Sequence, residues 1–145
     1  MKKISSSLGG LSIKLLTGIL IVAVLAGCGR KVAFATSTVV PGAEGKVKVK
    51  KDNNGNHAID VEIKHLAEPN RLPFPQNTYV VWMESSEGIK NLGQLRTSSG
   101  LLSSTRKGEL ETVSPYRPTR IFITAEGDAG VQYPGNQVVM TTSAF

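Results

Sequence analysis

The chain has 145 residues, a formal net charge of +6 and a single cysteine, Cys28. Lys2, Lys3 and Lys14 supply half of that charge, so the residues from Cys28 onward are only mildly basic, without the strongly basic character usual in a nucleic-acid-binding domain; no nucleic acid is expected as a partner. One cysteine cannot close a disulfide within the chain, and residues 28–145 have the length of one domain of about 100–150 residues, not two.

The first element is the run GILIVAVLAGCGR (18–30). It is shorter than the roughly 20 apolar residues a membrane-spanning helix needs. It is also apolar all round, without the polar face of a surface helix. Positive charge from Lys2, Lys3 and Lys14, an apolar stretch and the small pair Ala26-Gly27 together make a secretory signal, so residues 1–27 are expected to be a signal peptide that is removed. The tetrad LAGC (25–28) resembles the signal of bacterial lipoproteins. That resemblance implies a diacylglyceryl group on the sulfur of Cys28, with Cys28 as the new N-terminus and the membrane as a partner through that lipid. Two or more acyl chains hold a protein stably where one does so only marginally. The expected place is the cell envelope. Gly29, where Asp would signal inner-membrane retention, implies the outer membrane in a Gram-negative source, and otherwise the outer face of the cell membrane.

Residues 28–44 are expected to hold the lipidated N-terminus and a short tether with room for a first strand, and residues 45–145 a β-domain. KVKVK (46–50) sets Val47 and Val49 on one face against three lysines. HAIDVEIKH (57–65) sets Ile59, Val61 and Ile63 opposite Asp60, Glu62 and Lys64. Both alternate as half-buried strands do. Between them DNNGN (52–56) is a turn. A two-residue turn at Asn54-Gly55 would face Val49 with Asp60 and mix core with solvent. A three-residue loop, Asn53-Asn54-Gly55, with Asp52 leading a type I turn and Gly55 left-handed, pairs Val49 with Ile59, Val47 with Val61, Lys48 with Asp60 and Lys46 with Glu62.

EPNRLPFPQN (68–77), with three prolines, is a connection. TYVVWMES (78–85) is apolar on both faces, as a central strand covered on both sides is. Weaker strand character at 91–97, an exposed region at 98–108, and strands at 109–113, 119–126 and 136–143 bring the count to about seven. Short strands separated by turn signals predict an all-β fold, an immunoglobulin-like antiparallel β-sandwich. Trp82, mid-strand among apolar neighbours, is expected in the structural core.

The stretches YVVW (79–82), NLGQL (91–95) and IFITAEGDAGVQYPGNQVVMTT (121–142) resemble the extracytoplasmic C-terminal domain of the anti-sigma-K factor family, with Thr124, Glu126, Gly130, Pro134 and Gly135 carrying the last part of the likeness. The resemblance covers roughly residues 45–142 and implies an immunoglobulin-like sandwich outside the cytoplasm. It does not carry sigma-factor binding, which in that family belongs to a cytoplasmic module that this chain replaces with a lipoprotein signal.

No catalytic constellation emerges. His57 and His65, eight residues apart on one face, would lie roughly 26 Å from each other on an unbent strand and cannot share a metal ion. DNNGN has His57 and Ile63 where a calcium loop needs Gly and Glu. No G-x-S-x-G elbow is present. Neither a metal nor a cofactor is expected. Tyr116 and Arg117, in SPYRPTR (114–120), and Tyr133 are the candidate partner-binding residues, because Tyr and Arg are enriched at interface hot spots. The expectation is a non-enzymatic binding, sensory or assembly module meeting an envelope protein or glycan. The alternative is a small envelope hydrolase or carbohydrate-active protein using the loop carboxylates Glu126 and Asp128.

Overall fold

A computed structural model describes residues 29–100 and 105–145; the expected signal peptide and Cys28 lie outside the described residues. The fold is all-β. The strands are β1 (Arg30–Ala33), β2 (Glu44–Lys51), β3 (His57–Leu66), β4 (Thr78–Ser85), β5 (Gly88–Gln94), β6 (Arg96–Ser99), β7 (Arg106–Ser114), β8 (Arg120–Glu126) and β9 (Val138–Thr141). They form two antiparallel sheets, one of five strands in the order β1-β2-β3-β7-β6 and one of four in the order β5-β4-β8-β9. The count exceeds the expected seven for two reasons. β1 arises within the segment expected to hold the tether, and the weak strand at 91–97 divides into β5 and β6, which leave one sheet for the other at Leu95.

The β2–β3 hairpin has the register that side-chain alternation demands: Val47 faces Val61, Val49 faces Ile59, Lys48 faces Asp60 and Lys46 faces Glu62. Gly55 has φ +85°, and Asp52 Oδ1 accepts from the backbone N–H groups of Asn54 and Asn56, each at 2.8 Å. Lys46 Nζ lies 2.7 Å from Glu62 Oε2, so the lysine row of β2 is partly neutralised across the strand.

Alternation breaks at one point. His65 adopts φ 57° and the β3–β7 register shifts between Ile63 and Leu66. The bulge turns Leu66 into the core, fully buried, and leaves His65 in solvent. β3 is therefore not the unbent strand assumed for the histidine spacing, because an extra residue re-aims everything beyond it.

Between the sheets lies the main core. Val47, Ile59, Val61, Ile63 and Leu66 of the first sheet meet Tyr79, Val81, Met83, Ile121 and Ile123 of the second. Phe34, Val40 and Ala43, from the connection between β1 and β2, belong to the same cluster. That connection is tied to β9 where Ser37 Oγ donates to Val139 O at 2.5 Å and Ala35 N–H to Thr141 O at 2.8 Å. Residues 30–44 are thus part of the packed domain.

The sandwich has two ends. At one, Gly29 lies beside Val49 and Lys50, and β3 begins opposite the end of β7, with His57 facing Ser114. Residues 115–119 lie at the same end, where Thr119 N–H donates to Glu84 O at 2.8 Å. The opposite end carries residues 67–77 and 127–137, joined where Asn77 Nδ2 donates to Gly127 O at 2.8 Å.

Candidate functional site

The outer face of the four-stranded sheet is covered by residues 127–137. Outward-pointing Val80, Trp82 and Phe122 form a second buried cluster against Ala129 and Val131. The Trp82 and Phe122 rings stack at 6.3 Å between centroids and 14° between planes. Trp82 is therefore fully buried as expected, but beneath a loop and not between the sheets. This loop is why both faces of β4 are apolar.

A chain of hydrogen bonds fixes the cover. Trp82 Nε1–H donates to Thr124 Oγ1 at 2.8 Å, and the Thr124 hydroxyl donates to Glu126 Oε1 at 2.5 Å. The same oxygen accepts from Gly135 N–H at 2.7 Å. From β5, Asn91 Nδ2 donates to Ala129 O at 3.0 Å and to Val131 O at 2.8 Å. Residues that carried the family likeness, Trp82, Asn91, Thr124, Glu126 and Gly135, thus converge on one clasp. Their role here is structural: they hold the β8–β9 loop down.

The hydrolase alternative rested on Glu126 and Asp128, which the fold uses differently. Glu126 is buried, 8% exposed, with one carboxylate oxygen taken up by two donors. Asp128 Oδ1 accepts from Gly130 N–H at 2.6 Å in an exposed turn. Among the described residues no group of three or more His, Cys, Asp or Glu is placed to hold a metal ion.

Beside the clasp lies a cleft of about 570 Å³ between residues 73–76 and 135–138, with Val39 at its border. Phe74 stands 71% exposed at its rim and Val138 44% exposed. Gln137, in the cleft wall, has both side-chain amide atoms buried with no hydrogen-bond partner among the described residues. An unsatisfied buried polar group costs about 1–3 kcal/mol.

The three candidate partner-binding residues do not converge. Tyr116 and Arg117 are exposed at the end that carries Gly29, with Lys90 Nζ 6.0 Å from the centre of the Tyr116 ring. Tyr133, 82% exposed, belongs to the β8–β9 loop. Phe74 was not singled out by sequence reasoning. Its signal was PFP (73–75), an aromatic residue fixed between two prolines inside a connection, where it cannot be drawn into a strand.

No protein family, curated protein or solved structure is matched by this chain.

Proposed function

We propose that this chain is a lipid-anchored module of the bacterial cell envelope, an immunoglobulin-like sandwich that binds an envelope protein at the end away from its anchor and has no catalysis of its own. With β1 set aside as an added edge strand, the strand orders β2-β3-β7-β6 and β5-β4-β8-β9 resemble those of an immunoglobulin-type Greek key, which supports the finer fold reading. Anchoring rests on LAGC (25–28) together with the start of β1 at Arg30, two residues after Cys28.

The observation that carries the binding reading is the cleft bordered by Phe74. An aromatic side chain held by flanking prolines offers contact area at little ordering cost; its neighbours Val39, Pro73 and Val138 suit an apolar side chain of a protein partner, and Gln76, Asn136 and Gln137 beside them offer amide groups to its backbone. The test is photo-crosslinking in the source cells from position 74, compared with position 109 on the outer face of β7. A defined adduct from 74 alone, lost when Val138 is replaced by Asp, supports the reading. Adducts from both positions, or from neither, would contradict it, and crosslinks to glycan would replace the protein partner with a saccharide.

A further inference from the structure

The end of the sandwich that carries Gly29 is built unlike the opposite one. Backbone pairing brings to it the start of β1, the β2–β3 turn, the β4–β5 turn and residues 115–119. Among the described residues, the large hydrophobic side chains that stay exposed divide between the two ends: Ile89 (47%), Val113 (59%) and Tyr116 (42%) here, and Phe74, Tyr133 and Val138 with the cleft and the β8–β9 loop.

Cations accompany the first group. Lys50, Lys51, Lys90 and Arg117 are exposed, Arg120 is paired with Glu84, and the Arg30 guanidinium lies 5.5 Å from the centre of the Phe145 ring. The acidic side chains at the tip are Asp52, Glu84 and Glu87, and Asp60 and Glu111 line the same outer-face groove as Lys50 and Val113. Asp52 is engaged by the turn it leads, Glu84 by Arg120, and Asp60 faces Lys48 across the strands, which leaves Glu87 and Glu111 as the exposed opposing charges against Lys50, Lys51, Lys90 and Arg117. Tyr116 combines an apolar ring with a hydroxyl, the kind of side chain that settles at the level of lipid headgroups.

We infer that this end docks on the membrane itself, with Tyr116, Ile89 and Val113 at the headgroup boundary and Lys50, Lys51, Lys90 and Arg117 against anionic phospholipid. The inference rests on the anchoring proposed above, and chain length gives it force. Gly29 directly follows Cys28, and at most about 3.3–3.6 Å of chain per residue is available, so a lipid on Cys28 holds this end within about 10 Å of the headgroups. At such effective concentration weak contacts suffice. Each basic side chain near an anionic surface then raises the docked fraction about fivefold. Tyr116 and Arg117 would thus meet lipid, and the cleft with Phe74 faces away from the membrane, open to a partner.

The test uses the protein as purified from membranes of cells expressing the full chain, reconstituted in phosphatidylcholine vesicles with and without phosphatidylglycerol. Lysine acetylation is then read residue by residue. Lys50 and Lys51 should react at least about fivefold more slowly when phosphatidylglycerol is present, while Lys64 and Lys107, placed toward the opposite end by their pairing with Glu44 and Ser98, should not change. Replacing Arg117 by Gln and Tyr116 by Ala together should restore the labelling of Lys50 and Lys51. Equal rates at both ends, protection that ignores phosphatidylglycerol, or protection already present in detergent would each overturn the docking. The mass of the N-terminal peptide from the same sample reads acylation of Cys28 separately, so an unacylated chain would remove the anchor reading and leave the lysine result to stand or fall by itself.

Discussion

Gly135 N–H donates to Glu126 Oε1 over 2.7 Å, and a methyl group at Gly135 would stand 2.8 Å from Glu126 Oε2. The β8–β9 loop is thus held by a contact that only glycine permits. Gly135→Ala should displace the carboxylate and cost about 1–3 kcal/mol, as overpacking usually does. Chemical denaturation would measure the loss, and hydrogen exchange should show it first in residues 127–137.

Trp82→Ala removes the ring that the loop covers and should cost about 3–5 kcal/mol, a large part of a typical total of about 5–15 kcal/mol. Thr124→Val keeps the shape but leaves the Trp82 indole N–H and the Glu126 carboxylate short of a partner. Its expected cost is about 1–3 kcal/mol. A normal melting transition for both variants would show that the clasp does not stabilise the domain.

In the β2–β3 turn, Gly55→Ala forces a side chain into φ +85° and should cost about 1 kcal/mol. Asp52→Ala frees two backbone N–H groups and should cost a similar amount. The double variant should fall short of the sum of the two, since both residues serve one loop.

Stability should fall at alkaline pH through Tyr79, whose hydroxyl donates to Ala67 O at 2.9 Å and whose burial pushes its pKa up to about 12. Tyrosine in the unfolded chain titrates near 10. Because the folded value is the higher one, this contribution is whole below about pH 10 and is lost toward pH 12, by about 2 kcal/mol. Tyr79→Phe should flatten that limb. On the acid side, a hydrogen bond from Lys46 lowers the pKa of Glu62, and one from Arg106 lowers that of Glu68. Their contribution is present above about pH 4.3 and lost as pH falls through the depressed folded values. Both carboxylates face solvent, so the acid limb should be shallow and salt-sensitive. Unfolding curves across pH for the parent chain and Tyr79→Phe check both limbs.

Period-two alternation made β2 and β3 readable and a continuous apolar run made β4 and β8 so, and the choice between a two- and a three-residue loop fixed the hairpin register, because only one choice keeps valines opposite isoleucine and valine. The bulge at His65 was not readable: histidine enters the left-handed region more readily than most residues, but KHL (64–66) has no glycine to mark the turn, and the conformation goes with burial of Leu66 in the core. β1 could be expected only as a possible first strand within residues 28–44, without bounds, because RKVA (30–33) is a short edge strand with mostly exposed side chains. The double-sided apolar pattern of β4 announced two covers, yet the identity of the outer one lay in a loop more than 40 positions away, where Ala129 and Val131 pack on the Trp82 cluster. The cleft depended on tertiary placement of residues 73–76 and 135–138, which no local pattern encodes.

Intact-mass and peptide analysis of the protein extracted from membranes reads directly whether lipid on Cys28 holds the sandwich to the envelope, as proposed. The mature chain should begin at Cys28 and carry a diacylglyceryl group on that residue, and Cys28→Ser should abolish both cleavage and the lipid. A chain with an unmodified Cys28 thiol, or one cleaved at the same bond and still membrane-bound after Cys28→Ser, would contradict it.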